Sequence, residues 1–143
     1  MAHEAMIDKM IGDEVMALFI PSATESAYRS ASVRAAEEIM REVGYGSGEE
    51  PWPPLGIGIN AGLAHVGKVG TDAVNDFTAL GDTVSSAARL QTETAAGEIV
   101  MSKTVYDSVA NHYPELEQRR VEVRCRDEAI TVRVIQPERL RTA

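Results

Sequence analysis

The sequence predicts an α+β domain whose sheet is largely antiparallel, with helices packed on it. Three observations predict it. Short apolar runs of strand length are interspersed with longer stretches of helical period. Some neighbouring strand candidates are separated by a single Gly-containing step, which makes hairpins rather than parallel crossovers. The 143 residues form one domain, 1–143, with enough chain for a real core.

Residues 3–20 read as a β-hairpin with its turn at Gly12 and Asp13. The apolar run from Val15 to Ile20 has the character of a strand buried on both faces. Ser22-Ala23-Thr24-Glu25 is a capping-box pattern that starts a helix running to about Val43. Ala27, Ala31, Ala35, Ile39 and Val43 are read as its apolar stripe, and Gly44 suits the position just past its end. Residues 44–54 are rich in Gly and Pro and form an exposed connector, with Trp52 as a docking aromatic. Leu55 to Asn60 and Leu63 to Val69 read as two hairpin strands around Ala61-Gly62. Gly56, Gly58, Gly62, Gly67 and Gly70 leave so little side-chain volume there that a helix, a ligand or another subunit must pack closely.

Asp82 is a candidate N-cap for a helix from Thr83 to about Ala95, ended by Gly97. A short strand follows over Glu98 to Met101, and Ser102 caps a further helix to about Asn111. Two strands complete the chain, at about Arg120 to Arg124 and Ile130 to Ile135. The helices are expected on one side of the sheet.

Composition narrows the function. A net charge of -8 argues against a nucleic-acid or anionic-membrane surface. It also requires that any polyphosphate ligand meet locally placed cations. The lone cysteine, Cys125, cannot make an internal disulfide or a cysteine-based zinc site, and fits a reducing, cytoplasmic setting. No apolar run approaches the length of a membrane span, and no secretory leader pattern is expected. His3, His65 and His112 are scattered without metal-ligand spacing and read as structural or exposed.

Two stretches carry chemistry. In Lys9-Met10-Ile11-Gly12-Asp13-Glu14-Val15-Met16-Ala17-Leu18-Phe19, the Asp13 carboxylate sits at a hairpin tip. Gly-Asp is an ordinary turn dipeptide, but two strands would also hold such a carboxylate rigidly as a metal ligand. In Asn75-Asp76-Phe77-Thr78-Ala79-Leu80-Gly81-Asp82-Thr83-Val84-Ser85-Ser86-Ala87-Ala88-Arg89-Leu90, Ser85 and Arg89 are four apart on a helix and share a face. Arg89 reads either as a solvated arginine or as a planar fork for a phosphoryl group.

Together, in this order and spacing, the two stretches resemble the catalytic domain of the class III nucleotidyl cyclases, over about His3 to Ile135. The resemblance implies a ferredoxin-like sheet and an adenylate cyclase activity that makes cyclic AMP and pyrophosphate from ATP. It implies that Asp13 is one of two carboxylates binding a pair of Mg²⁺ or Mn²⁺ ions. It implies that Lys9 reads the purine edge, where lysine suits adenine and guanylate cyclases typically have glutamate. Thr78 falls on the second purine-selecting position and Arg89 on the arginine that stabilises the transition state. Val123-Arg124-Cys125-Arg126 matches a stretch that brings a cation to the distal phosphates, with Arg126 the preferred of its two arginines. In the implied reaction the 3′-hydroxyl of ATP attacks the α-phosphate in line, assisted by metal ions and fixed charge. The site would lie between two catalytic domains, metal ligands from one and base-reading residues from the other, so a homodimer or a heterodimer with another cyclase domain is implied.

The match departs from the family pattern in two places. Ser85 stands where an asparagine usually orients the ribose, and serine is shorter; losing such a donor costs on the order of 10² to 10³ in rate. The match also begins at the hairpin, so the family's opening strand with its metal aspartate, and two helices, are expected to be absent from these residues. The strand at Val15 to Ile20 would then lack a neighbour, and a closed gap, an exchanged strand or a tight oligomer is expected. With one metal carboxylate, this fragment is expected to be inactive or weakly active. The alternative is a catalytically silent cyclase-like module that dimerises with a complete cyclase or another protein.

Overall fold

A computed structural model describes residues 6–11, 14–19, 28–48, 50–62, 65–69, 76–80, 82–122 and 129–136. Along the chain run β1 (Met6–Ile11), β2 (Glu14–Leu18), α1 (Tyr28–Glu42), β3 (Ile57–Ile59), β4 (His65–Val69), β5 (Asp76–Leu80), α2 (Asp82–Thr92), β6 (Ile99–Ser102), α3 (Lys103–Val109), β7 (Glu117–Glu122) and β8 (Ala129–Ile135). The main sheet has the order β3-β6-β8-β7; β1-β2 and β4-β5 are separate antiparallel pairs. Among the described residues only β3 and β6 pair in parallel, so the expected α+β, largely antiparallel architecture holds.

The main sheet is covered on both faces, not on one. Ile99, Met101 and Ile135 point toward Val33, Ala36 and Met40 of α1 and Val105, Tyr106 and Val109 of α3. Between them, Val100, Val132 and Val134 point the other way, onto Leu90 of α2 and Val121 of β7. Strand alternation dictates this, because a central strand with all four residues buried needs partners on both sides.

The glycines of β3 show how α2 comes so close. A Cβ on Gly56 would lie 1.9 Å from Thr94 Oγ1, one on Gly58 2.4 Å from the Gln91 backbone nitrogen, and one on Gly62 2.9 Å from Thr83 Oγ1. At Gly56, Gly58 and Gly62 the close neighbour is this helix and the turn after it. With α2 seated on it, β3 joins β6 at Ile57↔Ile99 through Ile59↔Met101, and β4 turns instead to β5. The expected hairpin around Ala61-Gly62 is therefore not formed.

Other readings shift in detail. Helix α1 ends as expected at Gly44, whose φ is 113°. The Tyr45 N–H donates to the Met40 carbonyl at 3.0 Å and the Gly44 N–H to Arg41 at 3.0 Å, a Schellman closure. The buried residues of α1 are Val33, Ala35, Ala36 and Met40, whereas Ile39 is 48% exposed. A run spaced by four advances about 40° per step around a helix of 3.6 residues per turn, so the alanine track drifts off the buried face. The capping box at 22–25 lies outside the described residues. Helix α2 ends at Thr92, and Gly97 (φ 88°) instead shapes the turn into β6. Ser102 occupies the N-cap of α3, but its hydroxyl makes no cap hydrogen bond. Trp52 is 82% exposed among the described residues.

β2 alternates half-buried and exposed residues, with Val15 55% exposed, so it is not buried on both faces. Among the described residues it pairs with β1 alone, and β3 pairs with β6 alone. Of the expected alternatives, a closed gap, an exchanged strand or a tight oligomer, the described residues do not show the first.

Candidate active site

Lys9 lies on β1, opposite Met16. The ladder is irregular just before it: Ile7 pairs with Ala17 and Lys9 with Met16, which leaves Asp8 as an extra residue. Such bulges re-aim the strand beside functional positions. Ile11 pairs with Glu14, as the predicted hairpin requires; Gly12 and the metal candidate Asp13, which connect the two strands, lie outside the described residues.

Thr78 lies on β5 opposite Gly67. Among the described residues β1, which bears Lys9, and β5, which bears Thr78, approach each other without pairing. Sequence reasoning did not assign β5 as a strand; the alternation of Phe77, Thr78 and Ala79 was the available signal. Helix α2 begins two residues after β5 ends, which ties Ser85 and Arg89 to the Thr78 strand.

Ser85 is exposed on α2 and Arg89 is half-exposed one turn later. The Arg89 guanidinium meets the Glu93 carboxylate at 3.1 Å, each side chain 36% exposed. An i,i+4 pair in solvent contributes only about 0.3–0.5 kcal/mol, so a phosphate can displace it. Arg126, with Arg124, lies outside the described residues.

Two polar links hold this helix, and neither was read from the sequence. Asn60 Nδ2 donates to the Thr83 carbonyl at 3.0 Å. At the other end, Arg119 reaches the Glu93 carbonyl at 3.4 Å and grips Glu98 through two bonds of 2.8 and 3.0 Å. Glu98 also accepts from the Ala95 N–H at 2.9 Å. The Arg119 hydrogen bonds, opposed by burial and helped by Ala95, hold the Glu98 carboxyl down at about 2, while Glu98 pushes Arg119 up. The partners are 21 residues apart, and no local pattern signals such a pair.

The chain matches the adenylate and guanylate cyclase catalytic domain family over residues 9–136. It belongs to that family. It is 32% identical over 137 residues to an adenylate cyclase of Anabaena cylindrica, covering 88% of this chain and 27% of the relative. It is 31% identical over 142 residues to the terminal-differentiation specific adenylate cyclase of Dictyostelium discoideum, covering 93% of this chain and 7% of the relative. The chain thus spans well under two thirds of these relatives. Among solved structures, the guanylyl cyclase Cya2 superposes with a TM-score of 0.79 at 24% identity, over 93% of this chain and 70% of that one. The adenylyl cyclase CyaB from P. aeruginosa gives 0.67 at 27% identity, over 94% and 74%. The fold is therefore the cyclase catalytic fold that the two motif stretches implied.

Cyclase domains of this family act on nucleotides as dimers and use divalent metal ions. Among the described residues no group of three or more His, Cys, Asp or Glu is placed to hold a metal ion. No helix among the described residues is long and apolar enough to cross a membrane.

Proposed function

We propose that this domain is of the adenylate cyclase type and converts ATP to cyclic AMP and pyrophosphate at the interface of two catalytic domains. The observation that carries the reading is the adjacency of β1 and β5 in a chain of the cyclase family. It supports Lys9 and Thr78 as a shared purine-reading pair, with Lys9 donating to the adenine N1 acceptor. Arg89, on the helix that follows β5, leaves Glu93 and holds the α-phosphate as charge builds during in-line attack by the 3′-hydroxyl. Ser85, on the same face, contacts the ribose through water. Arg126 meets the distal phosphates. Asp13 is the metal-ligating carboxylate for Mg²⁺ or Mn²⁺.

Because Asp13 is the one carboxylate of these 143 residues assigned to the metals, the polypeptide assayed by itself turns over ATP weakly or not at all. The second reading is a silent dimerisation module, in which Arg89 stays with Glu93. The test is to incubate the purified chain with ATP and Mn²⁺, alone and mixed with a full-length cyclase, and to measure cyclic AMP. Product that disappears in Asp13→Ala and falls by about 10²-fold in Arg89→Ala supports the enzyme. Silence in both settings, with tight dimerisation, supports the module.

A further inference from the structure

The row of β3 and its flanks that faces α2 is Gly56, Gly58, Asn60 and Gly62, every second residue of the segment. Three of the four have no side chain. Added Cβ atoms would strike Thr94, the Gln91 and Ala87 backbone, and Thr83, so the helix lies almost on bare backbone from its first turn to beyond its last. A glycine groove offers close approach but few ridges to interlock with, so it holds a helix near without fixing its position. Leu90, 1% exposed, is the fully buried apolar knob of α2, and it sits toward the C-terminal end. Arg119 reaches Glu93 at that same end. At the N-terminal end Asn60 Nδ2 donates to the Thr83 carbonyl at 3.0 Å, two residues before Ser85. The only polar side chain in the row is thus aimed at the first turn of the helix.

We propose that Asn60 is a positioning residue that fixes the N-terminal half of α2, and through it the placement of Ser85 relative to the Thr78 strand. Its role in turnover rests on the cyclase reading above; its role in holding α2 does not. Asn60 itself touches no substrate. Removing its donor leaves a helix pinned near Leu90 and Glu93 whose first turns swing. Misplacement of a transition-state group by about 1 Å costs on the order of 10²-fold.

The test uses Asn60→Asp, which keeps the shape and removes the donor, and Asn60→Ser, which is too short to reach, in case the first does not fold. Hydrogen exchange on the full chain reads the placement directly. Faster exchange over 83–89 in either variant, with α1 and α3 at wild-type rates, is expected; wild-type exchange over 83–89 overturns the proposal. Turnover is measured in whichever form of the wild type makes cyclic AMP, alone or with a full-length cyclase. The expected result is a 10- to 100-fold fall in kcat, on the order set by misplacement, with KM for ATP changed less than about twofold. In a Ser85→Ala background the same substitution should cost little more, because both act through one group. Full additivity of the two losses overturns the positioning role. If the wild type makes no cyclic AMP in any form, the cyclase reading fails, and the exchange result still decides whether Asn60 holds α2.

Discussion

In β6 the residues Ile99, Val100 and Met101 are 0% exposed, while in β2 burial alternates and Val15 is 55% exposed. β6 sits between β3 and β8 with helices on both faces; among the described residues β2 pairs with β1 alone and alternates half-buried with exposed positions. The candidate chemistry follows the second pattern. Lys9 and Thr78 lie on the two hairpins, Asp13 joins the strands of one, and Ser85 and Arg89 follow the other on α2. The main sheet with α1 and α3 holds the buried core, and the hairpins carry the candidate residues. Damage to the two regions should therefore be read by different instruments: stability for the sheet, turnover for the hairpins.

The sharpest contrast comes from core truncation. Met101→Ala leaves a cavity where α1, α3 and β6 meet and should cost about 2–5 kcal/mol, measured by denaturant unfolding. A loss under about 1 kcal/mol would mean that the two faces of the sheet do not carry the stability.

Acid should act next, again through the sheet. The Glu98 carboxyl titrates at about 2 when folded against an ordinary 4.5, chiefly because Arg119 hydrogen-bonds the carboxylate. A depressed folded value stabilises above the unfolded one. The contribution is therefore complete above about pH 4.5, drains as pH falls toward 2, and amounts to about 3 kcal/mol. Glu98→Gln should be less stable at pH 7 and should lose less stability than wild type between pH 5 and 2. Parallel pH curves for the two proteins would contradict the pairing.

The smallest effect belongs to the hairpin. Val15→Thr, at an exposed position, should change stability by no more than about 0.5 kcal/mol in the same unfolding measurement. A larger loss would show that β2 is covered in solution, as a partner strand or subunit would do.

What the sequence revealed follows the same division. Local signals were readable: the β1-β2 hairpin, the Gly44 helix end, and the order of β6, α3, β7 and β8. The two motif stretches gave the family, because their order and spacing are specific. Contacts between distant segments were not readable. The parallel pairing of β3 with β6 spans some forty residues, and nothing in Ile57-Gly58-Ile59 names its partner. The glycines announced a close neighbour but not which one. The Arg119–Glu98 pair and the Asn60–Thr83 bond are tertiary and leave no periodic trace. Ile39 and Trp52 misled for a plain reason: apolar character does not say which face of a helix or loop turns inward.

The proposed site needs two domains: Asp13 from one, and the base-reading strands with the Arg89 helix that follows β5 from the other. Subunit mixing tests this most directly. Asp13→Ala and Arg89→Ala chains are each assayed for cyclic AMP formation in the form in which the wild type is active, then together after exchange. Each variant alone should be nearly silent. Random pairing should restore roughly a quarter of the wild-type rate, since half the dimers are mixed and each holds one intact site of two. No recovery on mixing, with exchange of subunits verified, would contradict a site shared between two copies of this domain.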